Sequence, residues 1–225
     1  MRALWLDVCI ALAVCIAGAL AGWLLVESDD DWYYALVPGG FGEARQPGAS
    51  REALAATLEA QESAEGLAVF ATYLFSNNTG VAIMAFALGF AFGVPTLLLL
   101  VHNLAVLGAM VWLFAGAGLG VDFAAWLSVH GTTELFAIVL AGAAGLHIGR
   151  AMAFPAARSV LAAAQDAGRR AATVMAGVVL MLVCAGLLEG FVRELVEPTP
   201  ARFAVGGGML ALWLGYFLLA GRRPA

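Results

Sequence analysis

The chain has 225 residues, 63% of them hydrophobic and 12% charged, with a mean hydropathy of +0.92 and a net charge of −5. Soluble domains average about 25% charged residues, so lipid rather than water surrounds most of this chain and no room is left for a soluble catalytic domain. The acidic balance, in which every basic residue is Arg, argues against nucleic acid as a partner and for the lipid bilayer as the main one.

A helix of about 20 apolar residues crosses a ~30 Å hydrocarbon core. The first such run lies at residues 4–26, and residues 1–26 are read as the first transmembrane helix. Ala17-Gly18-Ala19-Leu20-Ala21 offers small residues for signal-peptide cleavage, but the run is longer than an h-region of roughly 7–15 residues, which favours a retained helix. Cys9, Cys15 and Cys184 fall in apolar segments without disulfide or zinc-finger spacing and read as packing residues.

Residues 27–65 are the one long polar stretch, and residues 27–75 are read together as an external acidic loop and amphipathic helix. They open with Glu27-Ser28-Asp29-Asp30-Asp31, pass the interfacial aromatics Trp32, Tyr33 and Tyr34, and continue through a loop marked by Pro38, Gly39, Gly40, Gly42, Pro47 and Gly48. Ser50 is the expected N-cap of a helix that starts at Arg51. Leu54, Leu58, Leu67 and Phe70 recur at roughly helical spacing, which predicts an amphipathic helix over residues 51–75, lying on the membrane or dipping into it. An acidic surface helix without a partner is the alternative.

Residues 76–225 read as the transmembrane core. Ser76-Asn77-Asn78-Thr79-Gly80 interrupts the apolar sequence, and the run at residues 81–94 is short for a crossing. Gly93, Pro95 and Thr96 mark a helix break, because Pro removes a backbone donor and Gly loosens the chain. Further spans are expected at residues 97–118, 130–148, 171–190 and 203–219, with residues 122–128 as a partly polar connection. The sum is an all-α polytopic transmembrane bundle of about six spans, one of them short or broken. Under that count Arg2, Arg150, Arg158, Arg169, Arg170, Arg222 and Arg223 share one side, and Arg45, Arg51, Arg193 and Arg202 the other. The positive-inside rule then places both termini in the cytoplasm, the acidic insert outside the cell membrane, and a basic loop at residues 150–170.

Ionisable groups inside spans are costly and therefore informative. His130-Gly131-Thr132-Thr133-Glu134 opens one span with His130 and Glu134 on the same helical face, one turn apart. Glu189 ends the next span; since the two run antiparallel, it is expected at a similar depth. Asn77, Asn78 and Asn103 are amides at span margins. Three readings stand side by side. These groups cap helices and hydrogen-bond across the bundle; or Glu134 and Glu189 are protonatable groups along a pathway; or His130, Glu134 and Glu189 bind a metal. No HExxH motif occurs, no catalytic residue or cofactor is called for, and His102 and His147 read as core or interfacial histidines. Gly142, Gly145 and Gly149 allow close helix packing within the bundle and would also suit a homodimer. Gly206-Gly207-Gly208, inside an apolar run, is not a phosphate loop.

Asn77-Asn78, Gly93-Val94-Pro95-Thr96, Asn103, His130-Gly131-Thr132-Thr133-Glu134-Leu135-Phe136-Ala137-Ile138, Gly142-Ala143-Ala144-Gly145-Leu146 and Ala185-Gly186-Leu187-Leu188-Glu189-Gly190 follow one another in a characteristic order. Over about residues 76–222 this pattern resembles the stage II sporulation protein M family of integral membrane proteins. The chain departs from the family pattern in Asn103-Leu104, where relatives carry Asn-Gly, and in Pro95-Thr96, where they carry Gly-Thr. The resemblance implies a bundle of five or six helices and, from the family's namesake, a non-enzymatic scaffold for cell-wall hydrolases. The expected role is therefore assembly with membrane or envelope protein partners. Transport that uses intramembrane Glu and His is the second reading and an intramembrane metalloenzyme the third.

Overall fold

A computed structural model describes residues 4–37, 44–59, 64–192, 195–196 and 198–219. Arg2, Pro38, Gly39, Gly40, Gly42, Arg193, Arg222 and Arg223, named above, lie outside the described residues. Every regular element among the described residues is a helix: α1 Trp5–Ser28, α2 Asp31–Leu36, α3 Arg51–Glu59, α4 Ala64–Ala87, α5 Val94–Gly116, α6 Gly120–Ala153, α7 Val160–Leu187 and α8 Thr199–Leu219. In lipid, an α-helix satisfies its own backbone groups, which is why apolar sequence of this length takes that form. Four of the helices, α1, α5, α6 and α7, are long and apolar enough to cross a membrane.

The 34-residue α6 is the axis of the bundle and packs against α1, α4, α5, α7 and α8. Small side chains make this possible. A Cβ at Gly145 would run into the backbone carbonyl of Ala85 on α4, and one at Gly149 would meet the backbone of Gly93. These glycines, with Gly142 against Leu100, are therefore used in contacts inside the chain. A second seam joins α1 to α5, where Gly22 rests on the backbone of Ala105.

Several boundaries differ from expectation. The Ser76–Gly80 interruption does not occur: α4 runs through these residues without a break, because a helix paired along its length tolerates locally weak formers. The helix expected over residues 51–75 is α3 followed by the first half of α4, and residues 60–63 between them lie outside the described residues. Residues 122–128 are the start of α6 and not a connection; Asp122 sits in the first turn, where a negative charge suits the helix dipole. The basic loop at residues 150–170 shrinks to residues 154–159, since Ser159 caps α7 by accepting a hydrogen bond from the Ala162 backbone N–H at 3.2 Å. Ser50 caps α3 in the same way, through the Ala53 N–H at 3.1 Å.

The chain does break after α4. A 3-10 turn at Leu88–Phe90 leads to Gly93, whose φ of 78° is in the left-handed region that only Gly enters cheaply, and Pro95 lies in the first turn of α5. Thr96 closes the elbow by donating its hydroxyl to the Ala85 carbonyl at 2.9 Å.

The bundle has two distinct ends. The start of α1, the α4–α5 elbow, the end of α6 and the start of α7 meet at one, here called the arginine end. At the other, α2 and α3 cover the α5–α6 turn, and Arg51 donates to the carbonyls of Ala117 and Gly118 at 3.1 and 3.2 Å.

Candidate functional site

His130 and Glu134 project from the first half of α6, about 15 and 21 Å along the helix from its start at Gly120. Glu134 is 6% exposed, and its Oε2 accepts a hydrogen bond from the Asn78 side-chain amide of α4 at 2.7 Å. His130 Nδ1 lies 2.5 Å from Glu189 Oε2, with the two residues 1% and 2% exposed. Glu189 sits in a π-helical turn, Leu188–Val192, that continues α7. Such turns shift a side chain out of the regular helical series and recur at functional sites. Glu134 is within electrostatic reach of both His130 and Glu189. Three helices thus bring two carboxylates, an imidazole and an amide into one buried cluster.

Next to the cluster is a cavity of about 240 Å³ whose wall includes Asn77, Asn78, His102, Asn103, His130 and Glu134. Its remaining lining is largely apolar, from Leu99 and Ile138 to Phe123 and Trp126. Glu189 stands behind His130 and is not part of the wall. The Trp126 ring meets the His130 ring edge to face, with centroids 5.3 Å apart.

Arg45, from the α2–α3 segment, lines the cavity at the end under that segment. Its guanidinium carbon is 5.2 Å from the centre of the Trp126 ring, and Nη2 donates to the Thr57 carbonyl at 2.8 Å. Tyr33 donates its hydroxyl to the Arg45 backbone carbonyl at 2.7 Å. Burial pushes the Tyr33 phenol up to about 12 despite the neighbouring Arg45 charge. A cation over an aromatic ring, held by the Thr57 carbonyl and with its backbone anchored by Tyr33, therefore lines one end of the cavity.

Gly93, Pro95 and Thr96 belong elsewhere. Gly93 packs on Gly149 of α6, about 28 Å along that helix from His130. The helix break shapes the arginine end and not the cavity. Among the described residues, no group of three His, Cys, Asp or Glu side chains is arranged to hold a metal ion.

Two features escaped the sequence reading. Asp7, on α1, is 1% exposed and accepts hydrogen bonds from Arg150 Nε and Nη2 at 2.8 and 2.9 Å, with His147 Nδ1 at 2.9 Å. A lone acid in an apolar run, and an Arg three residues after a His in another, were the available signals. Arg45 had none, since a loop residue carries no periodicity that aims it at a span.

The family description Stage II sporulation protein M matches residues 11–193. No curated protein and no solved structure shows a significant match.

Proposed function

The chain belongs to the stage II sporulation protein M family, and on that footing we propose that it is a six-span protein of the cell membrane whose polar cavity takes up a small polar or cationic solute, with Glu134 as the proton- or cation-binding group. The observation that carries this reading is the cavity itself. An intramembrane pocket with a buried carboxylate on its wall, backed by a second buried acid–base pair, is costly to build in lipid. Asn78 orients the Glu134 carboxylate, and the His130–Glu189 pair supplies a second site between which a proton can be shared. The alternation of the helices supports the six-span count: α4 and α8 are about 36 and 31 Å long, sufficient for a ~30 Å core. With Arg150, Arg158, Arg169 and Arg170 at one end, the positive-inside rule makes that end cytoplasmic, together with both termini.

The test is flux. Purified protein is reconstituted into liposomes that contain a pH-sensitive dye, and proton or alkali-cation gradients are imposed. Flux above that of empty liposomes, abolished by Glu134→Gln in a variant that elutes as a monodisperse species, is the expected result. A wild-type protein that moves neither protons nor cations defeats the reading.

Envelope scaffolding is the second reading, favoured by family membership and by the covered end of the bundle. There α2 presents Asp31 and the exposed Trp32 and Tyr34, a combination suited to a basic, partly apolar partner domain. It predicts that removing residues 29–59 eliminates recovery of envelope protein partners, while Glu134→Gln changes none of them. A homodimer is a further form of such assembly, and it would need a face other than Gly145 and Gly149, which are used internally.

A further inference from the structure

The arginine end holds a second cavity, of about 360 Å³, that neither the family nor the proposed cavity function accounts for. It lies between the end of α6 and the start of α7, and its polar lining consists of His147, Arg150, Arg158, Asp166 and Arg170. Arg150 is set in place from beneath. Its Nε and Nη2 are both engaged by the buried Asp7 carboxylate, so the plane and direction of the guanidinium are fixed. Its side chain is nevertheless 42% exposed, so it presents surface to the cavity as well.

Arg158 and Arg170 complete the cationic rim. Each donates to the same oxygen of Asp166, at 3.3 and 3.2 Å. Both contacts are long for charge-assisted hydrogen bonds, which centre on about 2.7–2.9 Å, and all three side chains are about half exposed. Exposed pairs of this kind contribute little. Asp166 is thus a weakly held internal counter-ion that a better anion can displace.

Apolar side chains stand beside the cations. Phe154 also lines the cavity and is 78% exposed, and Leu161 and Val160 on the first turn of α7 are exposed too. Guanidinium groups beside unburied aromatic and aliphatic groups, at the end of a membrane bundle, match a ligand with an anionic head and an apolar tail. A free phosphate would have no use for the apolar part.

We propose that this cavity binds the phosphate group of an anionic phospholipid, with Arg150, Arg158 and Arg170 as its ligands and Asp166 as the counter-ion it displaces. Basic pockets between spans on the cytoplasmic side are where such headgroups bind, and the planar fork of Arg suits phosphate oxygens.

The test is native mass spectrometry of the full chain in detergent, titrated with phosphatidylglycerol and with phosphatidylcholine of the same acyl chains. The expected result is preferential retention of phosphatidylglycerol, reduced about tenfold or more in an R158Q/R170Q double variant, since each surface Arg contributes a several-fold attraction. Asp166→Asn is expected to raise retention, which a purely structural role for the Arg–Asp pairs would not do. Equal retention of the two lipids, or no change in the double variant, overturns the proposal. Millimolar inorganic phosphate is the competing probe: its failure to displace the lipid is expected, and displacement overturns the lipid as the source of the anion. The double variant alters exposed residues only, and its elution profile confirms that it is folded.

Discussion

Replacing Asp7 with Ala removes a single buried carboxylate on which α1 and α6 are joined. Three polar contacts disappear together, at 2.8, 2.9 and 2.9 Å. Breaking a buried ion pair by removing one partner costs about 3–5 kcal/mol, mainly through the charge left behind. One feature places this case at the lower end of that range and a second keeps the cost substantial. The Arg150 side chain is 42% exposed and can turn to water, whereas the His147 side chain is only 10% exposed and keeps an unsatisfied nitrogen, a loss of about 1–3 kcal/mol. The expected destabilisation is therefore about 3 kcal/mol. It can be measured by unfolding in mixed micelles of increasing sodium dodecyl sulfate content, followed by the far-UV circular dichroism signal. A triple variant, Asp7→Ala with His147→Leu and Arg150→Met, removes the stranded partners and should recover part of that loss. If Asp7→Ala alone shifts stability by less than about 0.5 kcal/mol, the size of an ordinary surface change, then the network does not hold α1 to the bundle.

Other expectations follow from the geometry. Gly22→Val places a side chain against the Ala105 backbone, where no rotamer gives relief, and should cost about 1–3 kcal/mol and loosen a disulfide-trapping contact engineered between α1 and α5. Gly93→Ala forces a non-Gly residue to φ 78° and should cost about 1–2 kcal/mol in the same unfolding assay. Tyr33 has its folded pKa pushed up to about 12 from 10. The sign is that of a raised group: the stability tied to its protonated form is complete below pH 10 and is lost as the pH climbs from 10 to about 12. Ultraviolet titration of tyrosinate should show a late-ionising component that Tyr33→Phe eliminates.

The helical class was legible because apolar runs of bilayer length leave the backbone no other form. His130 and Glu134 were legible as a pair because one turn of helix separates them, and the depth of Glu189 followed from antiparallel neighbours. Their partners were harder to see. Asn78 sits in a polar five-residue string that looks like a helix end, yet the α4 backbone passes through it, and one of its amides satisfies Glu134. Asp122 was misread for a related reason: an acid beside an apolar run marks a helix start as well as a loop. Asp7 was overlooked because a run rich in Leu, Val and Ala averages away one charge, although that charge is the reason His147 and Arg150 are tolerated. The placement of Arg45 on the cavity wall depends on the fold of the α2–α3 segment, which local pattern does not encode.

The central position of α6 bears on how the chain is made. Of the four helices apolar enough to span, α6 is the least hydropathic and the most enclosed, and it carries His130, Glu134, His147 and Arg150. Alone in lipid it would be a poor membrane segment. Yet α1, α4 and α5, which bear Asp7, Asn78 and the apolar wall of the cavity, all precede it in translation. When α6 leaves the ribosome, the groups that accept Glu134, His147 and Arg150 have already been synthesised, while Glu189, the partner of His130, follows with α7. The order of the helices along the chain thus doubles as an assembly sequence, in which the span least able to enter the membrane by itself meets α1, α4 and α5 on arrival and is enclosed only when α7 and α8 follow.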